Sequence, residues 1–363
     1  MQIEQYQLDD QSATPHLPAE PPRIHVEPRT YAEAVTSADS DAWKEAMPKL
    51  LTFVLGIQVL RTETGIYLQI YLQQEHYIGQ VLERFHHSKA NPEATPLDPS
   101  AISSLRPRTS TASAAECAQY GQLLGALNYL ATRTRPDIAT AIFFLARFMS
   151  NPAPEHWSAL KRVLRYLAGT QHHGLHYPKA SKSTTINAFS DSDWACSAAD
   201  RHSITGYLIC HGEGPIVWRS GRQSCIAQSS CEAEVMASTE ACREIAWRPQ
   251  IFNGIYINDT HRDGLAPQLL YMDNQGAEEI ANDPVRLSKR SKHMELRHLY
   301  VRECVSKQLI KIQHVASAEN LAVGFTKRLR TPAFLSWRDQ INVREAPHTS
   351  SQGRGSRQDI EDG

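Results

Sequence analysis

Apolar and polar positions along the chain fall into two textures. Between residues 50 and 72, LTFVLGIQVLRTETGIYLQIYL sets β-branched and aromatic runs on either side of Glu63–Gly65, which predicts a hairpin. Tyr120–Leu130 and Ile138–Met149 show helical spacing and are separated by Arg135-Pro136. A third helix is predicted to start at Pro154-Glu155 and to stop at Gly169. Its apolar positions Trp157, Leu160, Leu164 and Leu167 fall on one stripe, with Lys161, Arg162 and Arg165 largely away from it. Core packing accounts for the stripe. The basic face is either solvated or turned to a nucleic-acid backbone.

From about residue 184 the texture changes to short strands. Runs near Ile186–Asp191, Ile204–Cys210 and Pro215–Trp218 are separated by polar or Gly-containing turns. A helix follows from about Ser230, then a strand at Leu269–Met272 and helices near Ala277 and Glu295–Lys307. A strand at Leu309–His314 and a last helix near Asn320–Leu329 complete the segment. Three hairpin-linked strands followed by alternating helices and strands predict a mixed α/β sheet.

The flanks read differently. The leader to about Arg29 is rich in Pro, Gln and acids, and the segment after Val343 is equally poor in apolar residues, so both are expected to be disordered. The Pro- and Ser-rich stretch around 89–113 reads as a linker. No run of about 18 apolar residues is present, which excludes a membrane-spanning helix. The start MQIEQYQLDDQ lacks a basic, apolar secretory signal, which points to an intracellular protein of cytoplasm or nucleus. The seven cysteines contain no Cys-x-x-Cys pair and read as reduced thiols rather than disulfides or a zinc site. His172, His173 and His176 have no neighbouring cysteine or carboxylate to complete a metal site, and are expected in a solvated turn.

A formal net charge of −1 argues against a nucleic-acid protein, but it hides an asymmetry. Residues 1–42 carry eight acids against two bases, a net of −6; residues 284–330 carry eleven bases against three acids, a net of +8. That segregation predicts an acidic leader and a basic surface able to meet phosphates, although a solvated helix also collects Lys and Arg.

Acidic residues stand at the ends of several predicted elements. Asp191 closes the first strand in AFSDSDWA, Glu232 and Glu234 lie in the first turns of the helix beginning SSCEAEVMA, and Asp273 ends LLYMD. Strand ends and helix starts of an α/β sheet converge on one edge, where ligands bind. Carboxylates meeting there repel each other unless cations lie between them, and Mg²⁺ suits such oxygen ligands. Spacing alone only suggests this, because acids are common at helix starts, where they complement the helix dipole.

Eight runs add to this reading: LNYLATRTRPDIATAI, RFMSNPAPEHWSALKRVLRYLAGT, FSDSDWA, DRHSITGYLI, QSSCEAEVMAS, LYMDNQGA, RSKHMELRHLYVRE and ENLAVGFTKRL. In this order, across roughly residues 47–343, they resemble the C-terminal part of a copia-type retrotransposon Pol polyprotein, in particular its ribonuclease H domain. The resemblance implies a ribonuclease H-like mixed five-stranded sheet flanked by helices, preceded by a mostly helical reverse-transcriptase connection remnant. It implies a disordered leader 1–30, a truncated reverse transcriptase remnant 31–100, a helical connection region 114–180, a ribonuclease H-like domain 184–343 and a disordered tail 344–363. Such domains cut the RNA strand of RNA–DNA hybrids with two Mg²⁺ (or Mn²⁺) ions held by four carboxylates. Carried over by position, the catalytic and metal-binding residues are Asp191, with Asp193 a near neighbour, Glu234, and Asp273. Glu232 and Glu234 are two residues apart, about 200° around a helix, so only one can face the metal. Arg290, Lys292, His293, Arg297 and Arg302 are the candidates for gripping nucleic-acid phosphates.

Several positions depart from the family pattern. Its fourth carboxylate belongs to a run like Asn-Leu-Ala-Asp-x-Phe-Thr-Lys, and here that position is Val323, which cannot coordinate a metal. Gly324 costs a helix about 1 kcal/mol relative to alanine, and Pro249 is expected to kink or end the Glu234 helix. Upstream, RTYAEAVTSADSDAWKEAM resembles the opening of the family's reverse transcriptase and LTFVLGIQVLRTETGIYL the segment after its polymerase site. Met47-Pro48-Lys49-Leu50 joins them directly, so the palm with its Tyr-x-Asp-Asp is missing and polymerase activity is expected to be absent. Residues 50–90 then stand to lose the partners that cover their apolar strands. The expectation is a Pol remnant with weak or no hybrid cleavage. The alternatives are a non-catalytic RNA- or hybrid-binding module, or an expressed pseudogene product.

Overall fold

The computed structural model describes residues 40–41, 52–64, 67–100, 105–178, 186–196, 201–255, 267–282 and 295–347. The chain divides into two units, Met1–Leu50 and Leu51–Gly363, and all but residues 40–41 of the described part belong to the second. In chain order that unit holds β1 (Phe53–Val54), β2 (Ile57–Thr64), β3 (Tyr67–Gln73), α1 (Glu75–Arg84), α2 (Ala114–Arg133), α3 (Ala139–Ala146), α4 (Pro154–Gly169) and β4 (His173–Tyr177). It continues with β5 (Ile186–Asp193), β6 (Ile204–His211), β7 (Gly214–Arg222), α5 (Ser230–Ile255), β8 (Gln268–Met272) and α6 (Gln275–Asn282). Then come α7 (Glu295–Ser306), β9 (Ile310–His314), a 3-10 turn (Leu321–Phe325), α8 (Thr331–Gln340) and β10 (Val343–Glu345).

Two five-stranded sheets result. One is mixed, with the order β7-β6-β5-β8-β9: β5, β6 and β7 form an antiparallel meander, and β8 and β9 add in parallel. This is the mixed sheet that the strand and helix alternation predicts. The other sheet is antiparallel throughout, in the order β1-β2-β3-β4-β10, so the predicted hairpin is completed by strands from two distant parts of the chain. Strand β10 runs to Glu345, two residues past Val343, where the composition turns tail-like.

The side-chain alternation of β6 shows why the sheet must be covered on both faces. Ile204, Leu208 and Cys210 point into a core with Leu123, Leu127, Leu145, Leu160 and Leu164 from the helical region and Phe325 and Trp337 from the C-terminal segment. Tyr207 and Ile209 point the other way, into a core with Val235, Ile245, Met272 and Val301 from α5, β8 and α7. The helices α2 to α4 therefore form one of the two layers that bury the mixed sheet. Hydrogen bonds lock the layers: Trp218 Nε1 donates to Ala131 O (2.7 Å) and Thr140 Oγ1 to Gly324 O (2.7 Å).

At the Arg135-Pro136 break a polar group is buried in this layer. Arg135 and Asp137 are fully buried, bridged in a fork by Nε to Oδ1 (2.9 Å) and Nη2 to Oδ2 (2.7 Å). Arg135 also donates to Thr170 O and Oγ1 from beyond α4, and Tyr166 OH donates to Asp137. All three guanidinium nitrogens and both carboxylate oxygens thus have partners in a dry site.

Four expectations need correction. His173–Tyr177 is a strand, with His176 buried and stacked on Tyr71 (ring centroids 4.4 Å apart), because the sheet takes the apolar Leu175 inward and pairs the backbone around it; only His172 stays in a turn, beside Glu75. The described part of the stretch around 89–113 packs against the helices: Leu97 is buried, and Glu93 pairs Arg162 and Arg165 of α4 (both 2.9 Å), so those two bases face an acid. Helix α5 does not end at Pro249 but continues to Ile255. The single last helix is instead the 3-10 turn followed by α8, with Pro332 starting α8 at its first turn. Strands β2 and β3 are covered in part: α1 sends Ile78, Val81 and Leu82 into the core, while Phe53 and Leu55 stay 58% and 82% exposed. Among the described residues no helix is long and apolar enough to cross a membrane.

Candidate metal centre

The mixed sheet brings three acids to one edge. Asp191 lies near the end of the central strand β5, opposite Gly206 of β6. Asp273 directly follows β8, the parallel neighbour of β5, and the next residue, Asn274, caps α6 through Oδ1 and Ala277 N (3.0 Å). Glu234 sits in the second turn of α5, which packs across β5 and β6. One carboxylate oxygen from each of Asp191, Glu234 and Asp273 lies within 4.8 Å of the others. Strand ends and a helix start thus converge as the α/β topology requires.

Two of the three acids are almost completely buried: Asp191 is 1% and Glu234 6% exposed. Glu234 Oε1 accepts from Ser192 N at 3.3 Å, but Oε2 has no hydrogen-bond partner, and neither does Asp191 Oδ1. Asp191 Oδ2 accepts a short bond from Thr326 Oγ1, and Lys327 Nζ lies 3.5 Å from Oδ1. Asp273 Oδ2 accepts from Ser317 Oγ. Burial first, and then the charges of Asp191 and Asp273, push the Glu234 carboxyl up to about 8. Burial also pushes Asp191 up to about 6, against the pull of Lys327 and Thr326. A buried anion with an unsatisfied oxygen is costly. Two acids with such oxygens, clustered with a third carboxylate, fit a hard divalent cation, which takes oxygen ligands.

The turn carrying Val323 is docked against the same strand. Asn320 Nδ2 donates to Ser190 O (2.9 Å), and Gly206 leaves room for the turn, since a Cβ there would come within 2.7–2.9 Å of Thr326, Ala322 and Phe325. Val323 itself is half-buried, three residues before Thr326.

The other sequence candidates are placed differently. Glu232 faces away from the cluster: Oε2 accepts from Gln228 N (2.6 Å) and its own N–H donates to Ser229 Oγ (3.1 Å), the bonds of a helix start. Asp193 turns to the Cys196 thiol, and burial raises its pKa. Arg290, Lys292 and His293 lie outside the described residues, as does the side chain of Arg297 on α7. Arg302 is half-buried on α7. Sequence reasoning missed Thr326, Lys327 and Ser317 as neighbours of the acids. The first two were in view as the Phe-Thr-Lys that follows Val323; Ser317 has no motif to mark it.

No family model matches the chain. It is 35% identical over 297 residues to the retrovirus-related Pol polyprotein from transposon RE1 of Arabidopsis thaliana, covering 82% of this chain and 19% of that protein. It is 33% identical over 277 residues to the corresponding polyprotein from transposon TNT 1-94 of Nicotiana tabacum, covering 76% of this chain and 20% of that protein. The chain therefore spans about a fifth of these relatives' length. Among solved structures, an N-terminal RNase H domain from Mycobacterium tuberculosis aligns with a TM-score of 0.30 and 11% identity, covering 43% of this chain and 98% of that chain. The chain carries a mixed five-stranded α/β sheet and belongs to the retrovirus-related Pol polyproteins of transposons.

Proposed function

We propose that the mixed-sheet domain, about residues 184–343, is a metal-dependent nuclease of the ribonuclease H type that acts on the RNA strand of RNA–DNA hybrids, with activity reduced by Val323. The observation that carries this reading is that Asp191, Glu234 and Asp273 bring carboxylate oxygens within 4.8 Å of one another, while Asp191 and Glu234 each keep a buried oxygen without a hydrogen-bond partner. Asp191, Glu234 and Asp273 would hold Mg²⁺ or Mn²⁺. A divalent ion bound there supplies Lewis-acid stabilisation of a scissile phosphodiester and a more acidic water. The chain's own groups set the frame: Ser192 N–H orients Glu234, Thr326 orients Asp191, and Ser317 orients Asp273. The basic segment 284–330, with Arg290, Lys292, His293, Arg297 and Arg302, would hold the phosphates of the nucleic acid. Residues 31–100 and 114–180 are the remnants of the reverse transcriptase and its connection, without polymerase activity.

A second reading, a module that binds RNA or hybrid without cutting it, is favoured by one feature: the apolar Val323 on the turn that abuts the acids. Incubating the full chain with a labelled RNA–DNA hybrid, with and without Mg²⁺ or Mn²⁺, separates the two. Metal-dependent cleavage lost in Asp273→Asn supports the nuclease. Salt-dependent binding without cleavage at any metal concentration supports the module. Cleavage that is equal in the variant means a contaminating enzyme and removes the support for a nuclease.

A further inference from the structure

We infer that the Lys327 ammonium is a built-in competitor for the divalent ion, occupying the Asp191 face of the acidic cluster. The inference rests on the metal-site reading above and concerns how that site is regulated. Asp191 is the most buried of the three acids, and both of its oxygens meet cationic or hydrogen-bonding groups of one short segment. Thr326 Oγ1 donates to Oδ2, and Lys327 Nζ lies 3.5 Å from Oδ1. That Oδ1 has no hydrogen-bond partner, so the ammonium is its nearest compensating charge.

The lysine is well placed for this. Its side chain is 43% exposed, so it reaches in from solvent and can swing out without opening the core. An ammonium that keeps this much contact with solvent carries its charge at neutral pH, and it carries it to the mouth of the cluster. The turn that precedes it is anchored, because Asn320 donates to Ser190 O and Thr140 to Gly324 O. A hard cation coordinating Asp191 Oδ1 at about 2.1 Å would share that oxygen with the ammonium. Two cations cannot share it closely without strong repulsion. Divalent binding therefore requires the lysine to withdraw, and the ion's affinity is lowered by the free energy of that withdrawal.

The test is Mn²⁺ binding to the full chain at constant pH, followed by the loss of the free-ion paramagnetic signal, for wild type, Lys327→Met, Lys327→Arg and Asp273→Asn. The competitor role predicts that Lys327→Met binds at least tenfold more tightly than wild type. Lys327→Arg, which keeps the charge, should stay close to wild type. Lys327→Gln gives the same comparison if the methionine variant does not fold, as judged by its circular dichroism melt. A neutral variant that binds no more tightly than wild type, while Asp273→Asn abolishes binding, overturns the role of Lys327 and leaves the metal site standing. An arginine variant that binds as tightly as the methionine variant also overturns it, since charge would then not matter. No Mn²⁺ binding by wild type or by either neutral variant, up to millimolar metal, overturns both this inference and the metal-site reading.

Discussion

The indole of Trp337 lies over Gly324 and fills the space that a side chain there would need. Trp337 also donates to Leu321 O (2.8 Å), so the tryptophan of α8 holds both ends of the 3-10 turn beside the acids. In a regular helix this glycine would be only a cost. Here it is what allows the ring to seat. Gly324→Ala should therefore destabilise the fold by about 1–3 kcal/mol, as overpacking does. Urea unfolding measures it, and pairing the change with Trp337→Leu should recover part of the loss if the clash is its cause.

The buried fork between Arg135 and Asp137 predicts a larger effect. Removing one partner strands a charge in a dry site, so Asp137→Ala or Asp137→Asn should cost about 3–5 kcal/mol. Replacing both residues with apolar ones of similar volume should cost much less. Thermal unfolding of the three variants distinguishes a charge effect from a packing effect.

The acids of the cluster predict how stability depends on pH when metal is withheld. Both carboxyls have folded pKa values above the ordinary range, Glu234 at about 8 and Asp191 at about 6. The folded state then binds protons that the unfolded chain releases near pH 4. Stability is highest at the acid end of this window and falls as pH rises toward about 8, where the penalty of the charged forms is complete. Denaturation midpoints in a chelating buffer from pH 5 to 9 should decline, and Glu234→Gln should flatten most of the decline. A rising curve would mean that the two acids are compensated in the folded state.

Restoring a carboxylate on the turn is the direct test of why activity should be low. Val323 is half-buried and lies on the segment that also delivers Thr326 and Lys327 to Asp191. Val323→Asp should raise metal-dependent hybrid cleavage by about tenfold or more, if a further oxygen ligand is what the centre lacks. Initial rates against metal concentration would show it. Unchanged rates would move the cause of low activity away from residue 323.

Much of this structure is legible in the chain. The strands from Ile186 to His314 follow from short β-branched runs, and α4 starts at Pro154 and ends at Gly169 as its local signals dictate. Asp191, Glu234 and Asp273 come together because strand ends and helix starts meet at one edge of such a sheet, a rule that needs only the order of elements. What periodicity misses is non-local. Leu175 pairs with Val343 across the antiparallel sheet, and no local signal near His173–Tyr177 announces a partner so far along the chain. The same holds for Glu93, whose ion pairs with α4 pin a stretch that Pro and Ser mark as a linker. The choice between Glu232 and Glu234 needed the loop backbone at Gln228, which takes up the first of them.

The β10–β4 pairing makes the two ends of the fold depend on each other. The antiparallel sheet that begins at Phe53 gains its closing strand only with Val343–Glu345, and the layer α2 to α4 shares its core with Phe325, Phe334 and Trp337. Until those C-terminal residues join it, the first half keeps an open edge on β4 and an apolar layer without its Phe325, Phe334 and Trp337 neighbours. Loss of Val343–Glu345 alone would therefore be felt through β4 as far back as the strands that begin at Phe53.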